Sequence, residues 1–135
     1  LMRSGVFDVV YINFNIGDDK ALETVFPEAA ALGMGIIGRE AYMKGRLFSI
    51  AREMGLEDTA LLARAALKWC YLDPALTQVV YGTGKLRNLR TAIDTISGSL
   101  TLTDEEEAVL ERIRQNSGFA EFKEGKDRQF AGLVK

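Results

Sequence analysis

The chain has 135 residues, 47% of them apolar, and a formal net charge of −2, which is typical of a folded protein long enough for one domain. The slight negative charge gives no support for nucleic-acid binding, and no apolar run approaches the length of a membrane span. There is no histidine and only one cysteine, which excludes a Ser–His–Asp triad, a histidine metal site and an intrachain disulfide, and favours a reducing, cytoplasmic setting.

The first part of the chain predicts a strand followed by a helix. Residues 7–14 (FDVVYINF) predict the first strand, and the consecutive valines at 9 and 10 predict that it is covered on both faces, as in a parallel sheet. A helix is predicted over residues 20–32. An aspartate of the preceding loop should cap it, Pro27 should split it, and Gly33 should end it.

The next unit repeats this order. A short strand is predicted over residues 34–38, then a loop, then a short helix over residues 46–54 that Gly55 closes. A longer helix follows over residues 61–71, with Asp58 as its cap.

The glycine loop of the third unit is the candidate binding feature. A strand is predicted over residues 78–81, followed at once by residues 82–84 (GTG), and Lys85 opens an amphipathic helix. Free backbone N–H groups and the helix dipole at such a junction favour a bound anion. Arg87 and Arg90 add positive charge beside the loop.

The C-terminal part predicts one further helix and a tail. Thr103 and Glu106 form a capping box for a helix that ends near Gln115, and residues 104–107 are interpreted as surface charge matched to the helix dipole. The polar tail, residues 116–135, is expected to lie along the surface or to be partly mobile. Its apolar anchors would be Phe119, Phe122, Phe130, Leu133 and Val134. Alternating strands and helices predict a parallel sheet, and three strands alone would leave one face and two edges exposed.

Several stretches, in order and at matching spacing, resemble the C-terminal part of the aldo-keto reductases, (β/α)8 barrels that use a nicotinamide cofactor. Residues 9–15 (VVYINFN) resemble the family's sixth strand. The other matching stretches are residues 33–47 (GMGIIGREAYMKGRL), 66–69 (ALKW), Pro74, 79–82 (VVYG), 82–89 (GTGKLRNL) and 100–106 (LTLTDEE). The resemblance covers residues about 4 to 115.

The resemblance implies an α/β fold, a partial TIM (β/α)8 barrel with three parallel βα units. Residues 1–135 would be a single segment with units at about 6–32, 34–72 and 78–97, an extra helix at 103–115 and a tail at 116–135. The family's catalytic Asp, Tyr, Lys and His lie on earlier strands, so no catalytic residue is expected here. The chain begins with Leu1 and not Met, which favours a fragment or a processed product.

The resemblance also implies a set of cofactor-binding residues. The glycine loop matches the family's loop for the adenosine-side phosphate, Lys85 would pair with a 2′-phosphate, and Asn88 stands close by. Arg39 stands where an aromatic ring stacks on the nicotinamide, and Tyr42 stands near the pyrophosphate. NADPH is favoured over NADH, and no metal is expected. The implied set is Arg39, Tyr42, Gly82, Thr83, Gly84, Lys85 and Asn88.

Each of these features also has a simpler structural interpretation. The glycine loop fits a plain turn, and the two arginines after Lys85 fit a solvated, charge-paired helix face. Arg39 fits an ion pair with Glu40, while Trp69 and Cys70 fit a packed core.

The leading hypothesis is the C-terminal, cofactor-binding portion of an NAD(P)H-dependent aldo-keto reductase. Its partners would be the cofactor and a small aldehyde or ketone, with neither nucleic acid nor membrane. One alternative is a truncated, non-catalytic barrel fragment that self-associates as a homo-oligomer. Another is a different α/β barrel that binds sugar phosphates through the same loop.

Overall fold

The computed structural model describes residues 1–133, which form one three-stranded parallel sheet and six helices. The α/β class and the parallel sheet predicted from the sequence are therefore confirmed. The strands lie in chain order across the sheet: β1 (Val9–Asn13), β2 (Gly35–Arg39) and β3 (Leu76–Val79). The helices are α1 (Ala21–Ala31), α2 (Arg46–Glu53), α3 (Thr59–Cys70), α4 (Leu86–Ser97), α5 (Asp104–Arg114) and α6 (Ser117–Leu133), with single 3-10 turns at Met2–Ser4 and Met43–Gly45.

One face of the sheet is packed and the other is open. Val10 pairs in register with the fully buried Ile36 and packs against the core. Val9 and Tyr11, which alternate with Val10 and therefore point to the other face, are 46% and 55% exposed. The expectation that β1 is covered on both faces is thus wrong for the described residues, because they supply packed side chains to one face only.

Strand β3 begins two residues earlier than predicted. Leu76 is buried and pairs with Ile36, but the register shifts before the next pair, Ile37 with Gln78. At the shift, the Thr77 hydroxyl accepts a hydrogen bond from the backbone N–H of Ile36, at 3.0 Å. The Thr77 hydroxyl thus replaces the backbone carbonyl that would accept from Ile36 in a regular ladder.

Helix α1 continues through its proline. The expected break at Pro27 does not occur, because Phe26 and Ala29 anchor the buried side of the helix on both sides of it. Pro27 and Glu23 are both exposed, so water can bond the carbonyl oxygen that the proline leaves without a donor. Lys20, not an aspartate, is the N-cap residue. Gly33 ends the helix with a φ of +66°, as predicted.

Two hydrophobic clusters share helix α3. The first lies among α2, α3, α5 and α6 and includes Leu47, Leu62 and Ile113. The second lies between the sheet and helices α1 and α3 and includes Phe26 and Ile36. Trp69 packs against both clusters, which agrees with its interpretation as a core residue.

The tail forms a helix that lies along the surface. Helix α6 covers 17 residues, and Phe119 at its start is buried in the first cluster. Phe122 packs against the same cluster and Phe130 against the second. Phe119 is the one buried residue of α6, so the expectation that the tail lies along the surface is confirmed up to Leu133. The last two residues of the predicted tail lie outside the described chain.

The predicted capping box of α5 is present, and its glutamate also forms an ion pair with α3. The Thr103 hydroxyl accepts from the Glu106 N–H at 3.2 Å, and the Glu106 carboxylate accepts from the Thr103 N–H at 2.9 Å. The same carboxylate oxygen lies 2.9 Å from the Lys68 ammonium, and both side chains are buried. Glu106 and Lys68 thus form an interior ion pair between α5 and α3, contrary to the interpretation of Glu106 as surface charge.

Within residues 1–133, no helix is both long and apolar enough to cross a membrane.

Candidate functional site

The glycine loop lies at the carboxyl end of β3, at the start of α4. The Val80 N–H still donates to the Gly38 carbonyl at 2.8 Å, and the loop then leaves the sheet. The Lys85 N–H donates to the Thr83 hydroxyl at 3.2 Å. Within the described chain no side chain caps α4. The Asn88 N–H donates to the Lys85 carbonyl at 3.0 Å, so the N–H groups of Leu86 and Arg87 are the ones of the first turn left for an anion.

The fold does not itself require glycine at Gly82 or Gly84. Both have φ values outside the left-handed region, and a Cβ at either would meet no described atom within 4 Å. The two residues therefore leave the backbone of the loop uncovered, which permits close approach of a ligand and is equally compatible with a plain turn.

Beside the loop is a cleft of about 650 Å³ between α4 and the first turns of α3. A volume of this size is typical of small-molecule sites. Five of the seven predicted cofactor residues line it: Tyr42, Gly82, Thr83, Lys85 and Asn88. The other lining residues are Gly45, Phe48, Asp58, Thr59, Ala60, Ala63, Tyr81, Arg87, Thr91, Ala92 and Thr95.

An aromatic cluster forms one wall of the cleft. The Tyr42 ring meets Tyr81 edge-on at 5.6 Å between centroids and lies 5.3 Å from Phe48. The Tyr81 hydroxyl donates to the Asn88 carbonyl at 3.2 Å, which ties the strand end to the first turn of α4. Burial, followed by the proximity of Tyr81, raises the pKa of the Tyr42 hydroxyl. Tyr42 therefore stays protonated and is suited to packing and hydrogen bonding, not to proton transfer.

The charges of the cleft lining favour an anion. Lys85 and Arg87 are its cations, and Asp58 is its carboxylate. Asp58 is already engaged as the N-cap of α3, where it accepts a hydrogen bond from the Leu61 N–H at 2.8 Å. The predicted cap is confirmed, and the two cations outnumber the one carboxylate of the lining.

Two predicted site residues lie away from the cleft lining. Arg39 is at the carboxyl end of β2, where its guanidinium lies 5.3 Å from the centre of the Tyr11 ring on the open face of the sheet. It bonds Asn13 and lies 3.8 Å from the Glu40 carboxylate, so the ion-pair interpretation is confirmed. Gly84 belongs to the loop but does not line the cleft.

Sequence reasoning missed the α3 wall of the cleft, including Thr59 and Ala60. A signal for it exists in the chain order. Helices that follow parallel strands start at the carboxyl edge of the sheet, so the first turns of α3 and α4 were bound to lie close together. Tyr81 was counted as a strand residue, although the strand ends at Val79 and frees its ring for the cleft.

Residues 1–133 contain no cluster of acidic, cysteine or histidine side chains arranged to hold a metal. Cys70 is fully buried, its thiol bonds the Ala66 carbonyl at 3.4 Å, and burial raises its pKa to about 12. It is a packing residue, as expected, and not a nucleophile.

Comparison of the whole chain with known protein families and with curated proteins finds no match.

Proposed function

We propose that this chain is the C-terminal, cofactor-binding portion of an NAD(P)H-dependent aldo-keto reductase, with the cleft between α3 and α4 holding the adenosine-side phosphate of the cofactor. The proposal depends chiefly on one observation. Lys85 and the uncapped first turn of α4 meet at the carboxyl end of β3, beside a cleft that could admit a nucleotide.

The ordered series of motifs adds support that the cleft alone lacks. The motif series leads us to expect a nicotinamide cofactor, and the cations and open N–H groups beside the cleft support an anion site at the glycine loop. In this proposal a hydride passes from the nicotinamide to an aldehyde or ketone carbon. The described chain contributes phosphate binding, while the residues that deliver the proton lie on other strands.

The adenosine half of the cofactor provides a direct test. We expect calorimetric titration at low salt to detect binding of 2′,5′-ADP. We expect Lys85→Ala to raise its Kd about tenfold, since a charge-assisted contact to phosphate contributes roughly 1.5 kcal/mol or more. Arg90→Ala is the matched control, because Arg90 lies one turn along the same helix, is exposed and does not line the cleft.

Three results would count against this assignment. They are no binding of 2′,5′-ADP, equal losses in the two variants, or no preference for 2′,5′-ADP over a simple sugar phosphate. Binding of the sugar phosphate alone would favour the alternative of a different phosphate-binding barrel.

A second candidate function, non-catalytic self-association, is favoured by the surface of the described chain. Its accessible area is 8138 Å², whereas a folded monomer of this length exposes roughly 7,000 Å². The excess is larger than the roughly 800 Å² that each partner contributes to a standard interface. Four apolar residues on one side of α4 are between 40% and 62% exposed: Leu86, Leu89, Ile93 and Ile96.

We expect Ile93→Lys to shift an associated form of the chain to monomer, because the new charge lies in the middle of this apolar side. Sedimentation velocity at several concentrations measures the change. Gln115→Lys adds the same charge at the exposed residue that follows α5 and should leave the association unchanged. A wild-type chain that sediments as a monomer at all concentrations would rule out this function.

A further inference from the structure

Helix α6 lies across the loops that follow β1 and β2. The Lys126 ammonium lies 3.1 Å from a carboxylate oxygen of Asp18 and 3.8 Å from one of Glu40. All three side chains are nearly buried, at 11% to 14% exposure. Lys123, one turn earlier on the helix, pairs with Asp19 in the same loop as Asp18. Two lysines of α6 thus meet the loop after β1, and one of them also meets the loop after β2.

Glu40 begins a strained stretch of backbone, residues 40–45. Glu40, Met43 and Lys44 have φ values of +64°, +55° and +55°. Side chains other than glycine rarely adopt this left-handed conformation, and each such residue costs on the order of 1 kcal/mol or more. Three of them within five residues persist only where the surroundings hold them in place.

The contacts that hold the 40–45 segment come from two directions. The side-chain amide of the fully buried Asn15 donates to the Glu40 carbonyl at 3.0 Å. From α6, Phe122 reaches Gly17, where a Cβ would approach the ring within 2.8 Å. Met43 is buried against the same glycine, with its methyl group 3.3 Å from that Cβ position. Helix α6 therefore packs on the glycine that also supports the strained segment.

The 40–45 segment also supplies part of the cleft. Tyr42 and Gly45 line it, and Tyr42 forms its aromatic wall with Tyr81. We propose that Lys126 is a positioning residue. By pairing with the Asp18 and Glu40 carboxylates, it docks α6 and holds the strained segment in the conformation that places Tyr42 in the cleft. The nature of the cleft's ligand rests on the proposed function, whereas this mechanical link does not.

The charge balance explains why a single lysine has this effect. One buried oxygen of Glu40 has no hydrogen-bond donor within residues 1–133, and the Lys126 ammonium lies 3.8 Å from it. Lys44 and Arg39 pair with the other oxygen of Glu40, at 3.4 Å and 3.8 Å. Burial raises the pKa of Asp18 even with Lys126 beside it. Without the lysine, the nearly buried Asp18 carboxylate and one oxygen of Glu40 would lose their cation on α6, and undocking of the helix would rehydrate them.

Lys126→Met tests the proposal, because methionine keeps the apolar stem and removes the charge. Arg128→Met is the matched control, since Arg128 is exposed on the same helix and pairs only with Glu124 among the described residues. Lys126→Arg restores the charge. Hydrogen exchange should show the Met43 and Gly45 amides, which bond the Glu40 and Tyr42 carbonyls, exchanging about tenfold faster in Lys126→Met. The Ile113 amide of α5 should stay protected, which shows that the variant remains folded.

A second measurement follows the ring itself. The proton resonances of Tyr42, assigned with Tyr42→Phe, should move in Lys126→Met and remain in place in Arg128→Met and Lys126→Arg. If 2′,5′-ADP binds to the wild type, its affinity should fall about fivefold in Lys126→Met. A fivefold change is at the low end of the changes in affinity that one site usually causes at a second, coupled site.

Equal exchange rates in Lys126→Met and Arg128→Met would overturn the proposal, as would an unmoved Tyr42 ring. Failure of the wild-type chain to bind 2′,5′-ADP would overturn the proposed function alone. In that case exchange and the tyrosine resonances still decide whether Lys126 positions the 40–45 segment.

Discussion

Replacing Lys68 with methionine is expected to lower the free energy of unfolding by about 3 kcal/mol, because it leaves a buried carboxylate without its cation. Glu106 is only 3% exposed, and its oxygen lies 2.9 Å from the Lys68 ammonium. Lys68 also donates to the Thr101 carbonyl at 3.1 Å, so the variant loses a second bond. Urea unfolding followed by circular dichroism measures the loss.

Arg64→Met is the matched control for this pair. Arg64 lies 3.8 Å from the other oxygen of Glu106, but its side chain is 40% exposed. Water screens such a contact, so the expected loss is within about 0.5 kcal/mol. Similar losses in the two variants would show that the interior pair between α3 and α5 does not behave as a buried one.

The pH dependence of Lys68→Met follows from the titration of Glu106. Burial by itself would raise the pKa of this carboxyl, but the bonds from Lys68 and the Thr103 N–H outweigh it and hold the pKa below its ordinary 4.5. The ionised Glu106 carboxylate therefore stabilises the folded wild type at pH values above the ordinary pKa of the carboxyl. This stabilisation is lost as the pH falls through the lower pKa that Glu106 has in the folded state. The difference between variant and wild type should shrink in acid. A constant difference down to pH 3 would contradict this explanation.

Replacing Phe119 with alanine is expected to destabilise the fold by about 3 kcal/mol, the usual cost of removing a buried phenylalanine. Phe119 is 4% exposed and packs among residues of α2, α3 and α5. Thermal and urea unfolding give the loss. Leu133→Ala is the control on the same helix, because Leu133 is 82% exposed and should change stability by no more than about 0.5 kcal/mol. A Phe119→Ala chain as stable as the control would mean that α6 is not part of the folded core.

Local rules predicted the ends of several elements correctly. Gly33 and Gly55 close helices with positive φ values, and Asp58 and Thr103 cap helices by accepting a backbone N–H. These positions are decided by the conformation or bonding of one residue and its near neighbours. The alternation of strands and helices, which gave the parallel sheet, depends on the same short-range pattern.

The predictions that failed depend on partners distant in the chain. The sequence predicts that an aspartate of the loop before α1 caps that helix, but Asp18 and Asp19 of this loop pair with lysines of α6, more than 100 residues later in the chain. Glu106 looks like surface charge until Lys68, 38 residues away, is placed beside it. No periodicity within one element indicates such pairings.

In the candidate site, too, local features could be predicted from the sequence and contacts between distant residues could not. The glycine loop and Lys85 were found from residue types alone, because a strand, a glycine loop and a helix follow one another directly. The aromatic wall needs three separate stretches, which carry Tyr42, Phe48 and Tyr81. Only the packed structure brings them together.

The burial of Cys70 has a practical consequence for spectroscopy. Since its thiol is fully covered and its pKa is about 12, maleimide reagents at neutral pH should leave it untouched in the native state. A single cysteine introduced at an exposed site, such as Arg128, can then carry a fluorophore without first removing the native one. The labelled protein would report movements of the last helix in real time.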